Sequence, residues 1–146
     1  MTTNRAVLLI PSILLISCSP PPPDAASNAA YLEKEASEPG AFRTSSGLIY
    51  RELRAGTGTS PVATDNVKVN YSGTLVNGKK FDSGDGAQFP LNRVIPCWTE
   101  GVQRMRVGGK AQLICPARIG YGDQGNFPDI PGGATLIFEI ELLGIG

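Results

Sequence analysis

The sequence predicts an α+β fold in which an antiparallel sheet wraps around one short helix. Three observations carry this reading. Apolar and polar residues alternate over Val67–Ser72 and again over Phe138–Leu142, an Asn77-Gly78 pair stands between two strand-like segments, and Pro96–Met105 has helical spacing. A length of 146 residues suits a single domain with appendages.

In chain order, Ala29–Ser37 reads as a short helix with Tyr31, Leu32 and Ala36 apolar, stopped by Glu38-Pro39-Gly40. Leu48–Leu53 reads as a strand. Val67, Val69 and Tyr71 then alternate with Lys68, Asn70 and Ser72, the pattern of a half-buried strand. Asn77-Gly78 leads into Lys79-Lys80-Phe81 and signals a hairpin, because both residues tolerate the positive φ of a tight turn. The segment Asp82–Gln88, containing Gly84 and Gly86, reads as a short loop between Phe81 and Phe89. Pro96 suits a first helical turn, and Trp98, Val102 and Met105 share one helix face. After a Gly108-Gly109 turn comes a strand over Ala111–Cys115. In the last strand, Leu136–Leu143, residues Leu136, Phe138, Ile140 and Leu142 face one way, and Glu139 and Glu141 the other.

The N-terminus has the character of a targeting segment. Arg5 precedes an apolar run, Ala6–Ile16, which is short for a bilayer span but suits a signal-peptide core. Leu15-Ile16-Ser17-Cys18 resembles a bacterial lipobox, which implies a signal peptide over residues 1–17 and a lipidated Cys18 as the first mature residue. Residues 18–45 then form a lipidated, proline-rich tether and the short helix, with Pro20-Pro21-Pro22-Pro23 favouring extended polyproline II over Ser19–Asn28. Acyl chains on Cys18 anchor a chain to a membrane without a spanning helix. Ser19, at a position where Asp marks inner-membrane retention, points to the outer membrane of a bacterial cell envelope, facing the periplasm or the surface. With Cys18 acylated, Cys97 and Cys115 remain, an even number for an oxidising compartment. They either pair or stay as two buried thiols.

Composition excludes several functions. Thirteen Lys and Arg balance thirteen Asp and Glu, and Lys79-Lys80 is the densest basic cluster, so nucleic acid is not the expected partner. The chain has no His, which removes the usual general base and the commonest zinc ligand. Gly78–Ser83, Val94–Trp98, Gly120-Tyr121-Gly122 and Ala134–Leu143 place the one Trp, several aromatics and Asp82 in separate segments that could converge on one apolar pocket poor in acid–base groups, which suits a reaction that needs an environment and no nucleophile.

Ser46-Gly47-Leu48-Ile49-Tyr50, Tyr71-Ser72-Gly73-Thr74-Leu75, Phe81-Asp82-Ser83, Val94-Ile95-Pro96-Cys97-Trp98, Gly120-Tyr121-Gly122 and Ala134–Leu143 occur in an order that resembles the FKBP-type peptidyl-prolyl isomerases. The likeness is strongest to bacterial members such as the macrophage infectivity potentiator proteins, and it covers residues 46–146. It implies an FKBP-like sheet curled around a short helix, with a proline pocket between them. It also implies Tyr71, Asp82, Trp98, Tyr121 and Phe138 as catalytic residues, Trp98 being the pocket floor. Phe81, Phe89, Val94, Ile95 and Ile130 are implied as substrate-binding residues, with the Ile95 N–H binding a substrate carbonyl. No cofactor and no metal are implied. The expected ligands are proline-containing unfolded or peptide substrates, and macrolide inhibitors.

Four features depart from the family pattern. Cys97 stands where Gly usually precedes the Trp, and the Asp82–Gln88 segment lacks an aromatic near Ala87. Gly125-Asn126-Phe127-Pro128-Asp129 replaces a more apolar flap. Asp24–Ser46 is too short for the long dimerising helix of the infectivity potentiators, so a monomer is expected. The resemblance thus implies a lipid-anchored prolyl isomerase assisting the folding of envelope proteins. The alternative is a non-catalytic chaperone or partner-binding module on the same fold.

Overall fold

A computed structural model of the chain describes residues 23–146, with side-chain environments from Asn28 onward. The signal segment, Cys18 and residues 19–22 of the tether lie outside the described residues. Helix α1 spans Pro23–Ala36, so Pro23–Asn28 are helical, where the sequence predicts a polyproline tether. Proline suits a first helical turn, an acid such as Asp24 is favourable beside the N-terminal dipole, and Ala25 and Ala26 are strong helix formers. Those residues outweigh the proline run before them.

Six strands follow: β1 (Ala41–Arg43), β2 (Ile49–Arg54), β3 (Asn66–Leu75), β4 (Lys80–Pro90), β5 (Lys110–Cys115) and β6 (Leu136–Ile145). They form one antiparallel sheet in the order β1-β2-β5-β6-β3-β4. The sheet begins at Ala41, ahead of the expected boundary at Ser46, because the three residues of β1 pair with β2 and Phe42 stacks on Tyr50 at 5.6 Å. The C-terminal strand β6 lies inside the sheet, bonded to β3 on one side and β5 on the other.

Two further elements differ from the sequence reading. Asp82–Gln88 is not a loop but the middle of β4, paired with β3. The glycines that suggest a loop instead build a bulge. Asp85 and Gly86 together oppose Asn70, whose Oδ1 accepts the Gly86 N–H at 2.8 Å, and Gly86 has φ 63°. The helix expected to run to Met105 ends earlier: α2 spans Pro96–Val102. The Arg104 and Met105 N–H groups bond three residues back, to Gly101 and Val102, and this tighter turn still buries Met105.

The inward residues of the sheet meet α2 in one cluster. Val67, Val69 and Leu75 of β3, Leu113 of β5, and Leu136, Phe138, Ile140 and Leu142 of β6 pack with Trp98, Val102 and Met105. Gly101 lets the helix approach closely, since a Cβ there would lie 2.3 Å from Leu113 Cδ2. A disulfide joins Cys97, in the first turn of α2, to Cys115, at the end of β5, with Cα atoms 5.9 Å apart and both residues fully buried. On the outer face, Arg54–Glu141 at 2.6 Å and Lys110–Glu139 at 2.9 Å are part-exposed ion pairs, which solvent screening leaves weak.

Candidate active site

Between the concave face of the sheet and α2 lies a cleft of ≈ 400 Å³. Tyr71, Phe81, Asp82, Phe89, Arg93, Val94, Ile95, Trp98, Tyr121 and Phe138 line it. The local sequence explains how each group arrives there. Pro96 starts α2 directly after Ile95, so Trp98 points inward one turn into the helix and is only 4% exposed. Trp98 meets Tyr71, Phe89 and Phe138 edge to face, with ring centroids 5.2, 5.4 and 5.3 Å away. Tyr71 also meets Phe89 at 5.8 Å, and Phe81 meets Phe138 at 5.5 Å. Such perpendicular pairs contribute about 0.5–1.5 kcal/mol each beyond burial, so the walls and floor are preorganised.

Two glycines make room for these rings. A Cβ at Gly73 would lie 2.6 Å from Phe81 Cζ and 2.8 Å from Phe138 Cε1, and one at Gly84 would lie 2.8 Å from Tyr71 Cε1. Val94 and Ile95 are half-buried on the wall. Ile95 sits between the Leu91–Arg93 turn and α2, and its N–H has no acceptor among the described residues. A peptide carbonyl in the cleft could use it.

Of the residues implied by sequence, all but Ile130 come together at the cleft. Ile130 is 3% exposed and belongs to the core cluster. Its backbone exchanges two hydrogen bonds with Asn126, and its side chain anchors the flap from below instead of lining the cleft. Tyr121, at the other end of this flap, is 37% exposed at the cleft rim. Phe127 at the flap tip is 71% exposed and does not line the cleft, which is therefore open. Arg93 also lines the cleft, and sequence reasoning misses it although it directly precedes Val94-Ile95. That motif is conspicuous for its apolar residues, and the cation beside them carries no signal of its own.

The polar corner of the site is the Tyr71–Asp82 pair. The Tyr71 hydroxyl donates to Asp82 Oδ2 at 2.9 Å, and Asp82 Oδ1 accepts the Ser83 N–H at 2.9 Å. Burial first, then this hydrogen bond and the Asp82 charge, push the Tyr71 phenol up to about 12. Tyr71 is therefore neutral at physiological pH and acts as a hydrogen-bonding wall, not as a base. Its pKa is raised in the fold, so the associated stability is full below pH ~10 and is lost as pH rises through about 12. Asp82→Asn removes the charge but keeps an acceptor and the burial. The Tyr71 titration should then move down toward the ordinary tyrosine range without reaching it, as read by phenolate absorbance. An unchanged titration would mean that Asp82 does not act on the phenol.

The comparisons with known proteins bear on the family and the fold. A model described as FKBP-type peptidyl-prolyl cis-trans isomerase matches residues 57–143. The FKBP-type peptidyl-prolyl cis-trans isomerase FkpA of Aeromonas hydrophila is 50% identical over 119 residues, covering 79% of this chain and 44% of that protein. The FKBP-type 22 kDa peptidyl-prolyl cis-trans isomerase of Escherichia coli K12 is 44% identical, with 83% of this chain and 61% of that one covered. The chain thus spans about half the length of these relatives. Among solved structures, FkpA from Escherichia coli superposes with a TM-score of 0.80 at 43% identity, over 84% of this chain and 59% of that one. A peptidyl-prolyl cis-trans isomerase from Pseudomonas syringae pv. tomato gives 0.80 at 33% identity, over 88% and 99%.

Proposed function

Because the chain belongs to the FKBP-type peptidyl-prolyl cis-trans isomerases, we propose that it catalyses rotation about Xaa-Pro bonds in its aromatic cleft, and that it assists folding of proteins in the bacterial cell envelope. The observation that carries this is the open ≈ 400 Å³ cleft floored by Trp98, with the unpartnered Ile95 N–H beside it.

The chemistry follows from desolvation. Amide resonance opposes rotation by ~18–20 kcal/mol, and uncatalysed Xaa-Pro isomerisation takes roughly tens to hundreds of seconds. Twisting the bond removes charge from the carbonyl oxygen. The twisted state therefore loses less than the planar one on leaving water for rings such as Phe81, Trp98 and Phe138. The Ile95 N–H binds a carbonyl of the substrate chain and fixes its register, while Tyr71, held by Asp82, and Tyr121 at the rim offer hydroxyls. A thousandfold acceleration needs only ~4 kcal/mol of differential stabilisation, which desolvation and one or two oriented hydrogen bonds supply. No covalent intermediate forms.

The lipobox-like Leu15-Ile16-Ser17-Cys18 supports attachment to a membrane through an acylated Cys18, and Ser19 after it points to the outer membrane. Among the described residues no helix is long and apolar enough to cross a membrane. The aromatic walls suit a macrolide as well as a prolyl ring. An isomerisation assay on the purified chain, with and without rapamycin, tests the reading. Catalysis blocked by the macrolide is the expected result. A folded chain that accelerates no Xaa-Pro peptide, whatever residue precedes proline, overturns it in favour of the non-catalytic binding module.

A further inference from the structure

The cleft is lined by two charged residues, Asp82 and Arg93, and they are not equivalent. Asp82 is engaged: one carboxylate oxygen accepts the Tyr71 hydroxyl and the other the Ser83 N–H. Arg93 is exposed and, among the described residues, makes neither an ion pair nor a side-chain hydrogen bond. Its backbone, by contrast, is well placed. It ends the Leu91–Arg93 turn, in which Leu91 is fully buried, the Leu91 N–H donates to Asp65 at 2.9 Å and the Leu91 carbonyl accepts Thr99 Oγ1 at 2.8 Å. An uncommitted guanidinium thus projects from a fixed turn at the edge of an otherwise apolar cleft.

Its place relative to Ile95 sets what it can reach. A substrate held through a carbonyl on the Ile95 N–H runs extended past the cleft, and an extended chain rises about 3.3 Å per residue. Arg93 is two positions before Ile95, so its long side chain reaches a residue within about two positions of the substrate proline. The guanidinium matches a carboxylate in planar, two-pronged fashion, and it borders the apolar wall of the cleft.

We propose that Arg93 is a specificity-determining residue that makes the chain favour proline segments carrying an Asp or Glu within two residues of the proline. The proposal rests on the isomerase reading for its kinetic form, but not for its binding form. The test compares matched peptides that differ only as Glu or Gln, with that residue placed one before, two before or one after the proline. The readouts are kcat/KM and affinity, the latter from fluorescence of Trp98, the one Trp of the chain.

At low salt the Glu peptide should be favoured about two- to fivefold in at least one of these positions, the range of a part-exposed ion pair. The preference should fall as salt rises. Arg93→Gln should bring the Glu-to-Gln ratio to one, and Arg93→Glu should invert it. Because each ratio is taken within one variant, a general loss of folding or turnover does not imitate the effect. Equal use of Glu and Gln peptides at every position, or a preference that survives Arg93→Glu, overturns the proposal. If no peptide is isomerised but the Glu peptide binds more tightly, the isomerase reading fails and the role of Arg93 stands. Turnover without charge preference leaves the isomerase reading intact and removes the role of Arg93.

Discussion

Trp98→Ala should lower kcat/KM for prolyl isomerisation by at least about tenfold, with a loss near thirtyfold if half of the ~4 kcal/mol behind a thousandfold acceleration disappears. Among the aromatic pairs of the described residues, Trp98 is the ring that meets Tyr71, Phe89 and Phe138 together, so its removal opens the floor and frees three walls at once. Water then enters where the prolyl ring is to be desolvated. The same burial makes Trp98 a core residue, since it is 4% exposed and part of the main cluster. Truncation of a buried Trp costs about 3–5 kcal/mol, a large share of a typical domain stability of about 5–15 kcal/mol. Turnover must therefore be read well below the melting temperature, with Trp98→Phe as the variant that keeps an aromatic floor. Trp98→Phe should fall between wild type and Trp98→Ala. Full activity in a folded Trp98→Ala chain would place the reaction outside this cleft.

The elements around the cleft are legible in the sequence because strong local signals code them, whereas the assignment of Tyr71, Trp98 and Phe138 to a pocket comes from the family resemblance and not from those signals. Alternation fixes which face of β3 and β6 is buried, and so sends Val67, Val69, Phe138 and Ile140 inward without knowledge of the partner strands. Pro96 and the spacing of Trp98 and Val102 fix α2 and the direction of the indole. The features that local signals miss depend on partners distant in sequence. Gly84 and Gly86 are loop-like by composition, and only the Asn70 side chain and the β3 ladder make them a bulged strand. Ile130 lies in a flap near the cleft, but the hydrogen bonds with Asn126 turn its side chain to the core. Arg93 shows the converse: an exposed charge has no periodicity to betray it, and its value lies only in which cavity it borders.

Breaking the Cys97–Cys115 bond should lower stability by about 3 kcal/mol, as expected for cross-linked residues 18 positions apart. For a domain of this size that corresponds to a fall in melting temperature of roughly 10–20 °C. The bond ties the first turn of α2 to β5, and Cys97 is the residue before Trp98, so the cross-link bears on the segment that carries the pocket floor. α2 is a short helix, Pro96–Val102, and is marginal without tertiary contacts; here those contacts include the bond at its start, the core packing of Trp98 and Val102, and the close approach of Gly101 to Leu113 near its end. Reduction after unfolding, followed by refolding under reductant, isolates the effect, because two buried thiols pack as small hydrophobes and leave little cavity. The double variant Cys97→Ala, Cys115→Ala should melt at least as low. Thiol labelling with peptide mapping supplies the independent check: neither Cys97 nor Cys115 should react in the unreduced chain, even after unfolding. Labelling of both without reductant would remove the cross-link from the native protein, and the rings around Trp98 with the packing of Gly101 on Leu113 would then hold the pocket floor without it.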